Sequence, residues 1–156
     1  MDTEQAAAET AQYLTFTLAG EEYAVSILKV REIIRYDPTL TTVPTMPAWV
    51  RGVINLRGSV VPVIDLAVKL GVPSGAITNR TCVVVVEALV NGDHTVAGIM
   101  ADSVSEVKVL APGDVEPPPE FGTPIRGDLL KGLGKIGARF VLILDIDRVL
   151  STPAGV

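Results

Sequence analysis

The chain repeats itself, and that repeat limits the folds open to it more than any other feature. YLTFTLAGEEYAVSIL (residues 13–28) lies on VVEALVNGDHTVAGIM (residues 85–100) at an offset of 72, with Gly20-Glu21 on Gly92-Asp93 and Ile27 on Ile99. After a two-residue gap, Val30-Arg31-Glu32-Ile33 lies on Val104-Ser105-Glu106-Val107. RGVINLRGSVVPVIDL (51–66) then lies on KGLGKIGARFVLILDI (131–146) at a constant offset of 80, bringing Asp65 onto Asp145. The elements keep their order, so the sequence predicts two structural copies of one unit.

Within each copy the signals are those of short strands. Tyr13–Leu18 and Glu22–Ser26 flank a glycine-containing turn, and Gly52–Leu56 and Ser59–Ile64 flank Arg57-Gly58. Asp65 caps a short helix that Gly71 ends. The second copy offers strands at Thr81–Ala88, Thr95–Asp102, Val104–Leu110, Leu129–Ile136 and Ala138–Leu144, then a helical DIDRVL after Asp145. Pro44, Pro47, Pro73 and Pro117-Pro118-Pro119 mark connections, because proline cannot donate to a strand ladder. Many short strands with regular turns predict small barrels. The expected architecture is mainly β: two pseudo-symmetric five-stranded barrels packed side by side, with short helices. The expected organisation is a disordered tail (1–11), one domain (12–151) and a second tail (152–156). That domain divides into a first barrel (about 12–70), a second barrel (about 81–147) and a C-terminal helix (145–151) packing back.

Counting closes several kinds of chemistry. One cysteine and one histidine cannot build a Cys/His zinc cluster or a disulfide framework. Thirteen basic against eighteen acidic side chains leave a net charge of −5, unsuited to neutralising phosphates, so no nucleic-acid partner is expected. The apolar run Cys82–Val86 is far shorter than the ~20 residues that span a bilayer. With an acidic N-terminus, MDTEQAAAETAQ, the expectation is a soluble, cytoplasmic protein without membrane insertion.

The apparent catalytic motifs dissolve on inspection. Gly132-Leu133-Gly134-Lys135-Ile136-Gly137 matches GxGxxG, but a strand follows it where a dinucleotide site needs a helix. Asp65 and Asp145 lack the Asp-Thr/Ser-Gly setting of paired catalytic carboxylates and read as helix caps. Ser74 stands outside a nucleophile elbow, and His94 has no partner motif. Cys82 reads as a small core hydrophobe. No catalytic, cofactor or metal residue is expected, and no small-molecule substrate.

What remains is specific. VRGVINLRGSVVPVIDL, with FTLAGEEYAVSILKVREII, VAGIMADSVSEV, PPPEFG and GLGKIGARFVLILDIDRVL, resembles the CheW family of chemotaxis coupling proteins. The same pattern belongs to the regulatory domain of the histidine kinase CheA, whose other domains do not fit in 156 residues. The resemblance implies two SH3-like barrels and a non-catalytic adaptor between the cytoplasmic tips of chemoreceptors and the kinase regulatory domain. The alternative is a coupling protein of the same family in a non-flagellar pathway.

The resemblance carries receptor contacts onto Val30, Glu32, Arg57, Cys82, Val104 and Val107. Arg57 reads three ways: a receptor contact, a solvated turn residue, or a partner of Glu32 that fixes the turn. Cys82 departs from the β-branched residue common in relatives. Kinase contacts fall on Glu116 and Phe121, with Leu40 and Val43 on the first barrel. Glu116 departs from the basic residue of many relatives. Phe121 is either a projecting aromatic anchor or a loop residue folded onto the barrel.

Overall fold

A computed structural model of the chain describes residues 10–37, 40–42, 44–118, 125 and 127–151. Its hairpins start from their turns. Ala19-Gly20, Arg57-Gly58 and Asn91-Gly92 all have φ between 53° and 86°, the left-handed pair whose twist suits tight antiparallel connections. Around these turns and the one at Gly137 lie the hairpins β1–β2 (Ala11–Leu18, Glu21–Ser26), β4–β5 (Val50–Leu56, Ser59–Ile64), β6–β7 (Cys82–Val90, Asp93–Ala101) and β10–β11 (Leu130–Ile136, Arg139–Leu144). Single strands β3 (Val30–Arg35), β8 (Ser103–Leu110) and β9 (Val115–Glu116) complete the set, with helices α1 (Leu66–Leu70) and α2 (Ile146–Ser151).

The repeat holds down to individual hydrogen bonds. The Asp65 N–H donates to the Trp49 carbonyl (2.8 Å), and the Asp145 N–H donates to the Leu129 carbonyl (2.9 Å). Asp65 Oδ1 accepts from the Val68 N–H (3.3 Å) and Asp145 Oδ1 from the Arg148 N–H (3.2 Å), so both carboxylates are the helix caps expected. Bulges fall at Val50/Gly52 and at Leu130/Gly132. Thr41 bridges Val53, while Glu116 on β9 pairs with Leu133.

The two barrels are not contiguous in sequence, which corrects the expected division at 12–70 and 81–147. One curled sheet runs β8-β1-β2-β11-β10-β9 and the other β3-β6-β7-β5-β4. Each repeat lends its first hairpin to the sheet of the other repeat. The reason lies after β2, where a 3₁₀ turn (Ile27–Lys29) delivers β3 alongside β6 instead of back onto β1. Four ladders join the halves: β1 with β8, β2 with β11, β3 with β6 and β5 with β7. Ala11, expected in the N-terminal tail, belongs to β1.

Strand alternation separates three apolar clusters. Val83 and Val85 of β6 pack with Val63 and Met100 inside one barrel, and Val141 and Ile143 pack with Leu110 inside the other. Val84, Val86 and Ala88 turn the other way, into a large shared core with Leu14, Phe16, Leu18, Leu142 and Leu144. A strand buried on both faces must be apolar at every position, which explains the valine run. Helix α2 sends Ile146 and Val149 into the shared core.

Candidate interaction site

Glu32 lies on β3 opposite Val85, and Arg57 stands in the β4–β5 turn. β3 and β4 are the two ends of their sheet. Arg57 Nη1 donates to Glu32 Oε2 (2.6 Å) and Nη2 to Oε1 (3.1 Å), a bidentate pair across the opening of the barrel. The hydrogen bond from Arg57, then the Glu32 charge, raises the affinity of the guanidinium for its proton. The Gly58 N–H donates to Asn55 Oδ1 (2.9 Å) and holds the turn. Of the three readings of Arg57, the pairing with Glu32 is present in the structure.

This pair borders an open groove of about 680 Å³, with Arg31, Val60, Pro62 and His94 on its walls. Pro62 and Thr95 also line a second, apolar cleft of about 250 Å³, so the two spaces adjoin. Its other walls include Met46, Trp49, Val50, Ile64 and Leu150. Behind Trp49 the Lys69 ammonium sits 3.7 Å from the ring centroid, a cation–π contact. Burial lowers the Lys69 pKa.

The remaining expected contacts are dispersed. Val30 and Val104 pack against the shared core from different sheets. Val107 on β8 is exposed. Cys82 pairs with Arg35 at the far end of the β3–β6 ladder from Val30, half-buried, its thiol donating to the Arg80 carbonyl (3.3 Å). Leu40 is half-buried beside Thr41, and Glu116 is exposed on β9, at the edge of the other sheet. Val43 and Phe121 lie outside the described residues.

Glu106 is the repeat counterpart of Glu32, yet its surroundings differ. Arg139 contacts Glu22 first (2.8 Å) and Glu106 only at 4.0 Å, while Lys108 approaches Glu106 at 3.4 Å. Glu32 is thus held by a bidentate pair, whereas Glu106 sits in a network of charges. Among the described residues no group of three or more His, Cys, Asp or Glu side chains gathers in a metal-binding arrangement. No helix among them is long and apolar enough to cross a membrane.

The model of the CheW-like domain matches residues 12–154, which takes in both sheets. The chain belongs to the CheW-like domain family. It is 40% identical over 141 residues to the chemotaxis protein CheW of Klebsiella aerogenes, covering 90% of this chain and 82% of that protein. To the chemotaxis protein CheW of Helicobacter pylori it is 34% identical, covering 91% and 82%. The crystal structure of the scaffolding protein TtCheW from Thermoanaerobacter tengcongensis superimposes with a TM-score of 0.81 at 30% identity, covering 91% of this chain and 88% of that one. The CheW-like fold thus accounts for the two interleaved barrels.

The apolar cleft was not among the site residues read from the sequence. Trp49 is the one tryptophan of the chain, but PTMPAWV reads as a connection because of its prolines.

Proposed function

We propose that this CheW-like chain is a non-catalytic adaptor of a chemosensory pathway. It joins the cytoplasmic tips of chemoreceptors to the regulatory domain of the histidine kinase CheA, in the cytoplasm at membrane-associated receptor arrays. The observation that carries this reading is the match of the CheW-like domain over residues 12–154. Such an adaptor requires rigid, separated contact surfaces. Two barrels locked together by four inter-half ladders and one shared core supply that rigidity.

The receptor surface centres on the groove at Glu32 and Arg57, with Val30, Val104 and Val107 at the margins of the sheets and Cys82 farther along β6. A fixed guanidinium that keeps donor capacity beyond its own carboxylate suits a polar side chain on a helical partner. The kinase surface draws on Leu40, Val43, Glu116 and Phe121. Co-precipitation with a receptor cytoplasmic fragment and the kinase regulatory domain tests the reading. Both are expected to bind the full chain at once; binding of neither overturns it.

A further inference from the structure

We propose that the apolar cleft beside Trp49 is a docking slot for one aliphatic side chain of the receptor helix. The proposal rests on the receptor reading above and names the chemistry of a part of that surface which the expected contacts did not include.

The chain carries its own template for the occupant. At the offset of 80, Trp49, Val50, Pro62 and Ile64 of the cleft correspond to Leu129, Leu130, Leu142 and Leu144, and Leu150 corresponds to Leu70. All five counterparts are 7% exposed or less and lie in the shared core. Ile125, four residues before Leu129, is buried in the same cluster. Four residues before Trp49 stands Thr45, which is exposed. The second half thus buries an isoleucine with these leucines where the first half has an exposed threonine, and the first half leaves a cleft of about 250 Å³ open. A dry apolar cavity of about 150 Å³ already holds benzene, so this cleft has room for an aliphatic side chain.

Continuity names the partner. The cleft and the Glu32–Arg57 groove share Pro62 and Thr95 as walls. An amphipathic helix lying across both would place an apolar side chain beside Trp49 and polar side chains toward Arg31 and Arg57. A helix-in-groove partner reads as such a mixture of anchors.

The test gives the first half the plug it lacks. Thr45→Ile in the full chain is expected to keep or raise the melting temperature and to weaken binding of a receptor cytoplasmic fragment at least tenfold. Affinity for the kinase regulatory domain is expected to stay within twofold. Met46→Glu, at the exposed mouth of the cleft, is expected to weaken receptor binding similarly and decides the matter if Thr45→Ile does not fold. Trp49 fluorescence should shift when a tryptophan-free receptor fragment binds the unaltered chain. Receptor affinity unchanged in the folded variants, or loss of kinase binding in place of receptor binding, overturns the slot. Failure of the unaltered chain to bind the fragment at all overturns the receptor reading itself.

Discussion

Arg57 and Glu32 are 25 residues apart in sequence and stand at opposite ends of one five-stranded sheet, joined by two hydrogen bonds. The arginine holds φ at 53°, a region that disfavours side chains with a Cβ, so the turn geometry and the ion pair are set together. Glu32 is mostly covered while Arg57 remains largely in solvent. The pair is a clasp on the outside of a barrel whose interior is already packed.

Reversing the clasp separates binding from folding. Arg57→Glu places two carboxylates against each other at an exposed site, where solvent and salt screen the repulsion. Receptor binding is expected to fall with the melting temperature close to that of the unaltered chain. Arg57→Gly, which relieves the left-handed turn while deleting the pair, is expected to bind equally weakly. Calorimetric titration with a receptor fragment checks both, and undiminished affinity in either would remove Arg57 from the surface.

Asp147 ties α2 to the rest of the molecule, accepting from the Leu89 N–H (2.8 Å) and from Lys29 Nζ (3.0 Å). Burial pushes its pKa up, but the Leu89 hydrogen bond and the Lys29 ammonium outweigh burial and hold the carboxyl below its usual value. A depressed carboxylate stabilises the fold above its unfolded pKa of about 3.9, and that contribution disappears as pH falls through the lower folded value. Asp147→Asn is expected to cost about 1–2 kcal/mol at pH 7, allowing for partial exposure. Melts from pH 7 down to pH 2.5 should show the gap closing in acid; a gap independent of pH would contradict this account.

Tyr23 stacks on Phe16 with ring centroids 6.0 Å apart, its hydroxyl buried without a hydrogen-bond partner among the described residues. Burial first, then Glu21, pushes its pKa up to about 12. Deleting an unsatisfied buried hydroxyl removes a desolvation cost of about 1–3 kcal/mol and leaves the ring in place. Tyr23→Phe should therefore melt at or above the unaltered temperature in differential scanning calorimetry. A clear drop would show that the hydroxyl has a partner.

A Cβ on Gly132 would stand 2.6 Å from the Glu116 carbonyl oxygen, and one on Gly52 would meet the Thr41 carbonyl. Backbone cannot move aside as a flexible side chain can. Gly132→Ala and Gly52→Ala are each expected to cost about 1–3 kcal/mol by overpacking. Gly113→Ala, with nothing within 4 Å, should be close to neutral. Urea unfolding of the three variants gives the comparison; equal stability throughout would mean that the edge segments yield.

Local chemistry was legible in the sequence, and the choice of strand partner was not. Gly20, Gly58, Gly92 and Gly137 announced their hairpins, and Asp65 and Asp145 their helices, because those signals need only neighbouring residues. β3 has no hairpin turn to flag it as a strand, although VREIIR alternates and its repeat partner Val104–Val107 lies within a strand signal. The exchange of hairpins could not be read, since a repeat shows which segments are alike and is silent on which of two like segments each will pair with. The Glu32–Arg57 pair was one of three readings, and only the sheet order brings its members together. The cleft at Trp49 did leave a trace: Thr45 against Ile125, visible once the copies are set in register.

The exchanged hairpins carry a consequence for how the chain is made. Residues 10–70 alone contain two antiparallel hairpins and an unpaired β3, because every further ladder is formed with residues after 81. An isolated hairpin has marginal stability in water. On the ribosome, therefore, the five-stranded sheet has all of its strands once Ala101 has emerged, whereas the six-stranded sheet waits for β11, which supplies the parallel neighbour of β2. The two sheets are thus completed at different points of synthesis, and a nascent chain stalled at the midpoint presents β1 and β3 as open edges. Duplication has here produced a molecule that is less divisible than a single copy of its repeat.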